Sequence, residues 1–113
     1  MTDHIKIRPA DGTWVVRAGG AVIGESKAAL ELVEGDYPPV IYFPRDDIAM
    51  AFLDASATGS HCPFKGDAVY FNIIAKSGPI NDAAWSYETP KEVAKEIAGY
   101  LAFYPSKVAV EQV

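Results

Sequence analysis

A chain of 113 residues is long enough for one domain with its own apolar core and short for two. Half of it is hydrophobic and 22% is charged, a globular composition that excludes general disorder. A formal charge of −5 speaks against a general nucleic-acid binder, which needs a basic face, but leaves small anionic or neutral ligands open.

The first half reads as short strands divided by turn residues. Ile5 and Ile7 alternate with Lys6 and Arg8, the period of a strand with one wet face. Asp11-Gly12 signals a turn, and residues 13–17 form a second strand. Gly19-Gly20 then closes a hairpin between residues 14–17 and 21–24. Residues 29–33 alternate again, with Leu30 and Leu32 opposite Ala29 and Glu31. Tyr37-Pro38-Pro39 forces an extended approach to a buried strand, Val40-Ile41-Tyr42-Phe43. Pro44 ends it, and Asp46 or Asp47 is placed to cap a short helix over residues 47–53, with Ile48 and Phe52 on its inner face.

Residues 67–75, rich in Val, Tyr, Phe and Ile, are the strongest strand signal. Ser77-Gly78-Pro79 turns the chain into a strand over 83–87. Thr89-Pro90-Lys91-Glu92 has the form of a capping box with proline at the first helical position. It predicts a second short helix with Val93 and Ile97 facing inward, stopped at Gly99. Residues 100–104 and 107–113 read as closing strands. The pattern predicts a mainly β (α+β) single domain over residues 1–113, with sheets packed on one another or strongly bent and two short helices. Strands without regular crossover helices exclude a doubly wound parallel sheet.

The segment Ser60-His61-Cys62-Pro63-Phe64-Lys65-Gly66 concentrates the residues able to do chemistry. Pro63 presets a turn and Gly66 can bring backbone close to a ligand. Lys65 could then offer its ammonium to a carboxylate or phosphate, although a plain surface turn has the same composition. His61 and Cys62 are neighbours, and in a strand neighbours point to opposite faces, which disfavours a Cys–His dyad. Cys62 and Lys65 are the candidate catalytic residues, Cys62 as a thiol that Lys65 could activate. Two histidines and one cysteine cannot build a cysteine-rich zinc site, so no metal is expected and no cofactor is indicated. Lys65-Gly66-Asp67 reverses the order of a phosphate loop.

Aromatic residues gather around these turns. Trp85 and Tyr87 lie two apart on one strand and share a face. With Tyr37, Tyr42, Phe64 and Tyr70 they could line a pocket for a flat or cationic ligand, or simply fill the core. Arg45, Asp46 and Asp47 could add polar walls, although acidic residues there could equally cap a helix. The candidate ligand-binding set is therefore His61, Phe64, Gly66, Tyr70, Trp85, Tyr87, Tyr42, Arg45 and Asp47.

Cys62 being the only cysteine, no internal disulfide can form. The stretch Met1-Thr2-Asp3-His4-Ile5-Lys6 lacks the basic-then-apolar pattern of a signal peptide, and no apolar run spans a bilayer. The expectation is a cytoplasmic protein with no membrane and no nucleic-acid partner.

Several blocks together carry a resemblance: residues 37–44 (Tyr-Pro-Pro-Val-Ile-Tyr-Phe-Pro), His61-Cys62-Pro63-Phe64-Lys65-Gly66-Asp67-Ala68-Val69-Tyr70, Ala84-Trp85-Ser86-Tyr87, and residues 97–104. Over nearly the whole chain these resemble the family known as domain of unknown function 427. The resemblance implies bent antiparallel sheets in a tent-like arrangement, similar in shape to methionine-sulfoxide reductase B. Reductase chemistry does not follow, because a lone cysteine has no resolving partner. The family is also labelled nucleotidyltransferase-like. That activity needs carboxylates converging on Mg²⁺, yet Gly59-Ser60 runs into His61-Cys62 rather than spaced aspartates.

The leading expectation is a small-molecule-binding domain, with a pocket between the His61–Gly66 turn and the Trp85–Tyr87 strand. Nucleotidyl transfer, with Lys65 on phosphate and Asp46, Asp47 or Asp67 on Mg²⁺, is one alternative. The other is a homodimer whose copies pair through the C-terminal edge strand at residues 108–113.

Overall fold

The computed structural model describes residues 4–113. Met1 to Asp3, part of the stretch compared above with a signal peptide, lie outside the described residues. Among the described residues ten strands form three antiparallel sheets. The first joins β1 (Ile5–Pro9), β4 (Leu30–Glu34) and β5 (Val40–Tyr42), with β4 central. The second places β2 (Trp14–Ala18) between β3 (Ala21–Ser26) and β10 (Ala109–Gln112). The third runs in the order β6 (Leu53–Cys62), β7 (Gly66–Ala75), β8 (Gly78–Ser86) and β9 (Ala102–Phe103). Gly19 and Gly20 both have positive φ, the backbone that a tight two-residue hairpin between β2 and β3 demands. Among the described residues no helix is long and apolar enough to cross a membrane.

Two apolar clusters hold the sheets together. The first contains Val16, Ile23, Phe43, Ile73, Leu101 and Phe103. The second contains Ile5, Leu32, Tyr42, Ala68, Tyr87 and Ile97. Successive side chains at the end of β5 point to opposite sides, so Tyr42 enters the second cluster and Phe43 the first. Phe43 also exchanges backbone hydrogen bonds with Leu101 at 2.8 and 2.9 Å, tying the first sheet to the chain segment leading into the third.

Three elements differ from the sequence expectations. Residues 47–53 are not a helix: 3₁₀ turns occupy Arg45–Asp47 and Met50–Phe52, and neither has a side-chain cap. Ile48 is buried but Phe52 is half exposed, so the four-residue spacing never becomes an inner face. The capping box does not form either. Lys91 is the N-cap, in extended backbone, of a kinked 3₁₀ segment Glu92–Ile97. Its amide donates to the Lys65 carbonyl at 2.9 Å, while Glu92 pairs with Lys95. Thr89 is exposed, so Thr89→Ala should change unfolding free energy by less than about 0.5 kcal/mol, measurable by urea denaturation. A loss near the 1–2 kcal/mol of a true cap would contradict this placement.

The third difference is β6, for which the sequence carries no clear strand signal. It is an exposed edge of small polar residues, with a bulge between Ala55 and Gly59. Asp82 secures that bulge by accepting from the Ser56 hydroxyl at 2.5 Å and the Thr58 hydroxyl at 2.8 Å. These two bonds hold the Asp82 carboxyl below its ordinary value. Asp82 itself takes a positive φ of 50°, and its amide bonds to the Asn72 side chain.

Candidate functional site

The β6–β7 hairpin brings Lys65 inward. Cys62 pairs with Gly66 across the hairpin, leaving residues 63–65 as its connection. Gly66 sits at φ 110°, a conformation that a side chain would strain, and the amide of Lys91 and its Nζ clamp the carbonyls of Lys65 and Pro63. The Lys65 side chain is thereby folded under the hairpin, and the residue is only 8% exposed. Its Nζ donates to Glu34 Oε1 at 2.5 Å and lies 5.8 Å from the centre of the Tyr87 ring. Glu34 Oε2 is 3.7 Å from His4 Nε2.

This ion pair borders a cleft of about 200 Å³. Tyr42, Tyr70, Trp85 and Tyr87 line it, together with Tyr37 and Tyr104. The rings brace one another: Trp85 packs on Tyr104 at 4.5 Å and edge-on to Tyr42 at 6.3 Å between ring centres. Trp85 Nε1–H donates to the Tyr42 hydroxyl at 3.2 Å, and Tyr70 shares a hydrogen bond with Ser60 at 2.9 Å. Burial, the main cause in each case, raises the phenols of Tyr87 and Tyr104 to about 12 and pushes Tyr42 higher. Hydrogen bonding to Tyr70 adds to the effect at Tyr104.

At neutral pH these hydroxyls therefore remain protonated donors. The folded protein holds protons that unfolded tyrosines, with pKa about 10, release first. Stability should thus fall as pH rises from about 10 toward 12. Phenolate absorbance should show the Tyr87 and Tyr104 ionisations near pH 12. Ionisation of Tyr87 and Tyr104 near pH 10 in the folded protein would contradict the buried geometry.

The remaining sequence candidates take other places. His61 is exposed on the outer face of the hairpin, its Nδ1 2.7 Å from Asp67 Oδ1. Cys62, on the opposite face, is half-buried and packs against the cluster containing Tyr42 and Tyr87. Phe64 stacks edge-on against His4 at 4.6 Å. Gly66 shapes the turn without lining the cleft. Arg45 is a structural clamp: it donates to the Gly99 carbonyl, Ser86 Oγ and Glu88 Oε2 and lies 5.5 Å over the Phe71 ring. Asp47 is exposed on its 3₁₀ turn. Neither Arg45 nor Asp47 walls the cleft, because Pro44 and the turn after it carry them away from β5.

Glu34 and Tyr104, with the apolar Leu32, Pro38 and Val40, are cleft residues that sequence reasoning passed over. The signal for Glu34 was present in the alternation: it continues the face of Leu30 and Leu32, and a carboxylate on an apolar face needs a partner.

Fold and site together define an antiparallel β domain with a tyrosine- and tryptophan-walled cleft beside a partly buried ion pair. Residues 6–113 match the family described as a domain of unknown function (DUF427), and the chain belongs to that family. No curated protein matches it significantly.

Proposed function

We propose that this chain is a binding domain for a small organic molecule, seated in the cleft beside Lys65 and Glu34. The observation that carries the reading is a sequestered ion pair at the point where five tyrosines and Trp85 converge on a hollow. Withdrawing two charges from water costs free energy that their attraction offsets only in part. A pair placed beside a cleft, rather than within a closed core, gains a use when it orients a ligand's polar groups. Lys65 supplies donors, Glu34 an acceptor, and the protonated phenols further donors. The aromatic faces would contact the body of the ligand. Lys65 Nζ is held against Glu34 as a hydrogen-bond donor. The tent-like bend implied by the family belongs to the same reading, since concave sheets leave such a cleft.

Nucleotidyl transfer has less behind it. Asp46 and Asp47 stand exposed on a 3₁₀ turn, Asp67 is bonded to His61 on the outer face, and none of the three lines the cleft that holds Lys65. A homodimer is compatible with the binding reading, because among the described residues β10 is bonded to β2 alone within its sheet. Light scattering showing a monomer at high concentration would remove it.

The test is a thermal-shift screen of small metabolites against wild type and the double variant Lys65→Met/Glu34→Gln. Compounds that stabilise only the wild type are expected. Hits that stabilise both proteins equally would contradict the assignment.

A further inference from the structure

A second hollow adjoins the first. It has a volume of about 340 Å³ and shares Val40 and Trp85 with the Lys65 cleft. Trp14, Pro39, Phe103 and Pro105 supply its other flat walls, and Glu31 lines it as well. The indole N–H groups of both tryptophans and Oε1 of Glu31 are already engaged. Trp14 Nε1–H donates to the Asp11 carbonyl at 3.0 Å, Trp85 Nε1–H to Tyr42, and Glu31 accepts from Arg8 at 2.6 Å. The walls therefore offer mainly ring faces and hydrocarbon, with Glu31 the charged side chain among them, and a polar group placed against the indoles would lose its water without gaining a partner from them. A planar ring matches two indoles and two prolines better than a flexible chain does, because aromatic pairs gain attraction beyond the area they bury.

The neighbouring cleft constrains the rest of the ligand. Lys65 and Glu34 balance each other in charge there, the second Glu34 oxygen lying 3.7 Å from His4 Nε2. A head group of single charge would leave that partly buried site with a net charge, which is costly. A head group carrying both signs can satisfy both partners and leave the balance unchanged.

We propose that the two hollows form one site for an aromatic compound with a net-neutral, zwitterionic head, the chemistry of an aromatic amino acid. The ring lies between Trp14 and Trp85, and the head lies against Lys65 and Glu34. This rests on the reading of the Lys65 cleft as a binding site.

The chain has two tryptophans and both line the slot, so intrinsic tryptophan fluorescence reports on it directly. The probes are L-phenylalanine, phenethylamine, 3-phenylpropionate and cyclohexylalanine, titrated into the full chain. L-Phenylalanine is expected to saturate at lower concentration than the cationic, anionic and saturated analogues. Trp14→Ala should weaken it about tenfold, with Trp14→Leu as a volume-keeping variant should the alanine form not fold. Lys65→Met/Glu34→Gln should erase the preference for the zwitterion. Equal affinity for the charged analogues, or no saturable response to any phenyl probe at millimolar concentration, overturns the proposal. Unchanged binding in both Trp14 variants, with loss in the ion-pair variant, overturns the ring slot but leaves the Lys65 cleft standing. Loss in the Trp14 variants with no effect of the ion-pair variant overturns the cleft reading itself.

Discussion

Lys65→Met should lower the free energy of unfolding by about 3 kcal/mol, the lower end of the cost of orphaning one member of a buried pair. The lower end applies because the Glu34 side chain keeps 21% of its exposure and can recover some water. The companion variant Lys65→Met/Glu34→Gln should return to within about 1 kcal/mol of wild type, since no uncompensated charge remains. Urea denaturation of the three proteins measures both quantities. If the single variant were as stable as wild type, the 2.5 Å contact between Lys65 and Glu34 would not persist in solution. If the double variant were as unstable as the single one, the cost would come from lost packing of the lysine stem rather than from charge.

Phe43→Ala should cost about 3–5 kcal/mol. The ring is fully buried and packs edge-on against Phe103 with 5.8 Å between centres. Its removal opens a cavity in the first cluster, one residue from Tyr42 in the second. The loss should appear as a lower urea midpoint with an unchanged slope, because the surface exposed on unfolding hardly changes. A cost under about 1 kcal/mol would mean that the two clusters do not meet at the end of β5 as described.

These two residues also show what could be read from the sequence. Phe43 lies in a run of four apolar residues bounded by prolines, and its burial followed from that pattern. The strands β1 to β4 and β7 declared themselves by alternation or by runs of β-branched and aromatic residues. β6 could not be read in this way. Its Ala, Ser, Thr and Gly residues have no buried face to encode, and the strand exists because β7 pairs with it and Asp82 holds its bulge. The two expected helices shrank to 3₁₀ turns for a related reason. The spacing of Ile48 and Phe52 and the form of Thr89-Pro90-Lys91-Glu92 are local signals. Tertiary demands overrode both, the amide of Lys91 being taken by Lys65.

Within the site, the turn at residues 63–66 was legible from Pro63 and Gly66, and so was the shared face of Trp85 and Tyr87. The direction of Lys65 was not. Turn composition cannot distinguish a solvated lysine from one folded beneath its hairpin, and the partner that draws it inward, Glu34, is 31 residues away. Arg45 illustrates the opposite error. A guanidinium after a buried strand suggests a pocket wall, yet acceptors on Ser86, Glu88 and Gly99 hold its Nε and Nη2 away from the cleft.

Amide chemical-shift mapping of the compounds that stabilise the wild type tests the central claim most directly. The largest perturbations are expected at Glu34, Tyr42, Lys65, Tyr70, Trp85 and Tyr87, around the ion pair and the aromatic walls of the cleft. Perturbations confined to other surfaces, such as the exposed edge strand β6 or the exposed apolar residues Val22, Phe52 and Ile74, with none at Lys65 or Trp85, would contradict it.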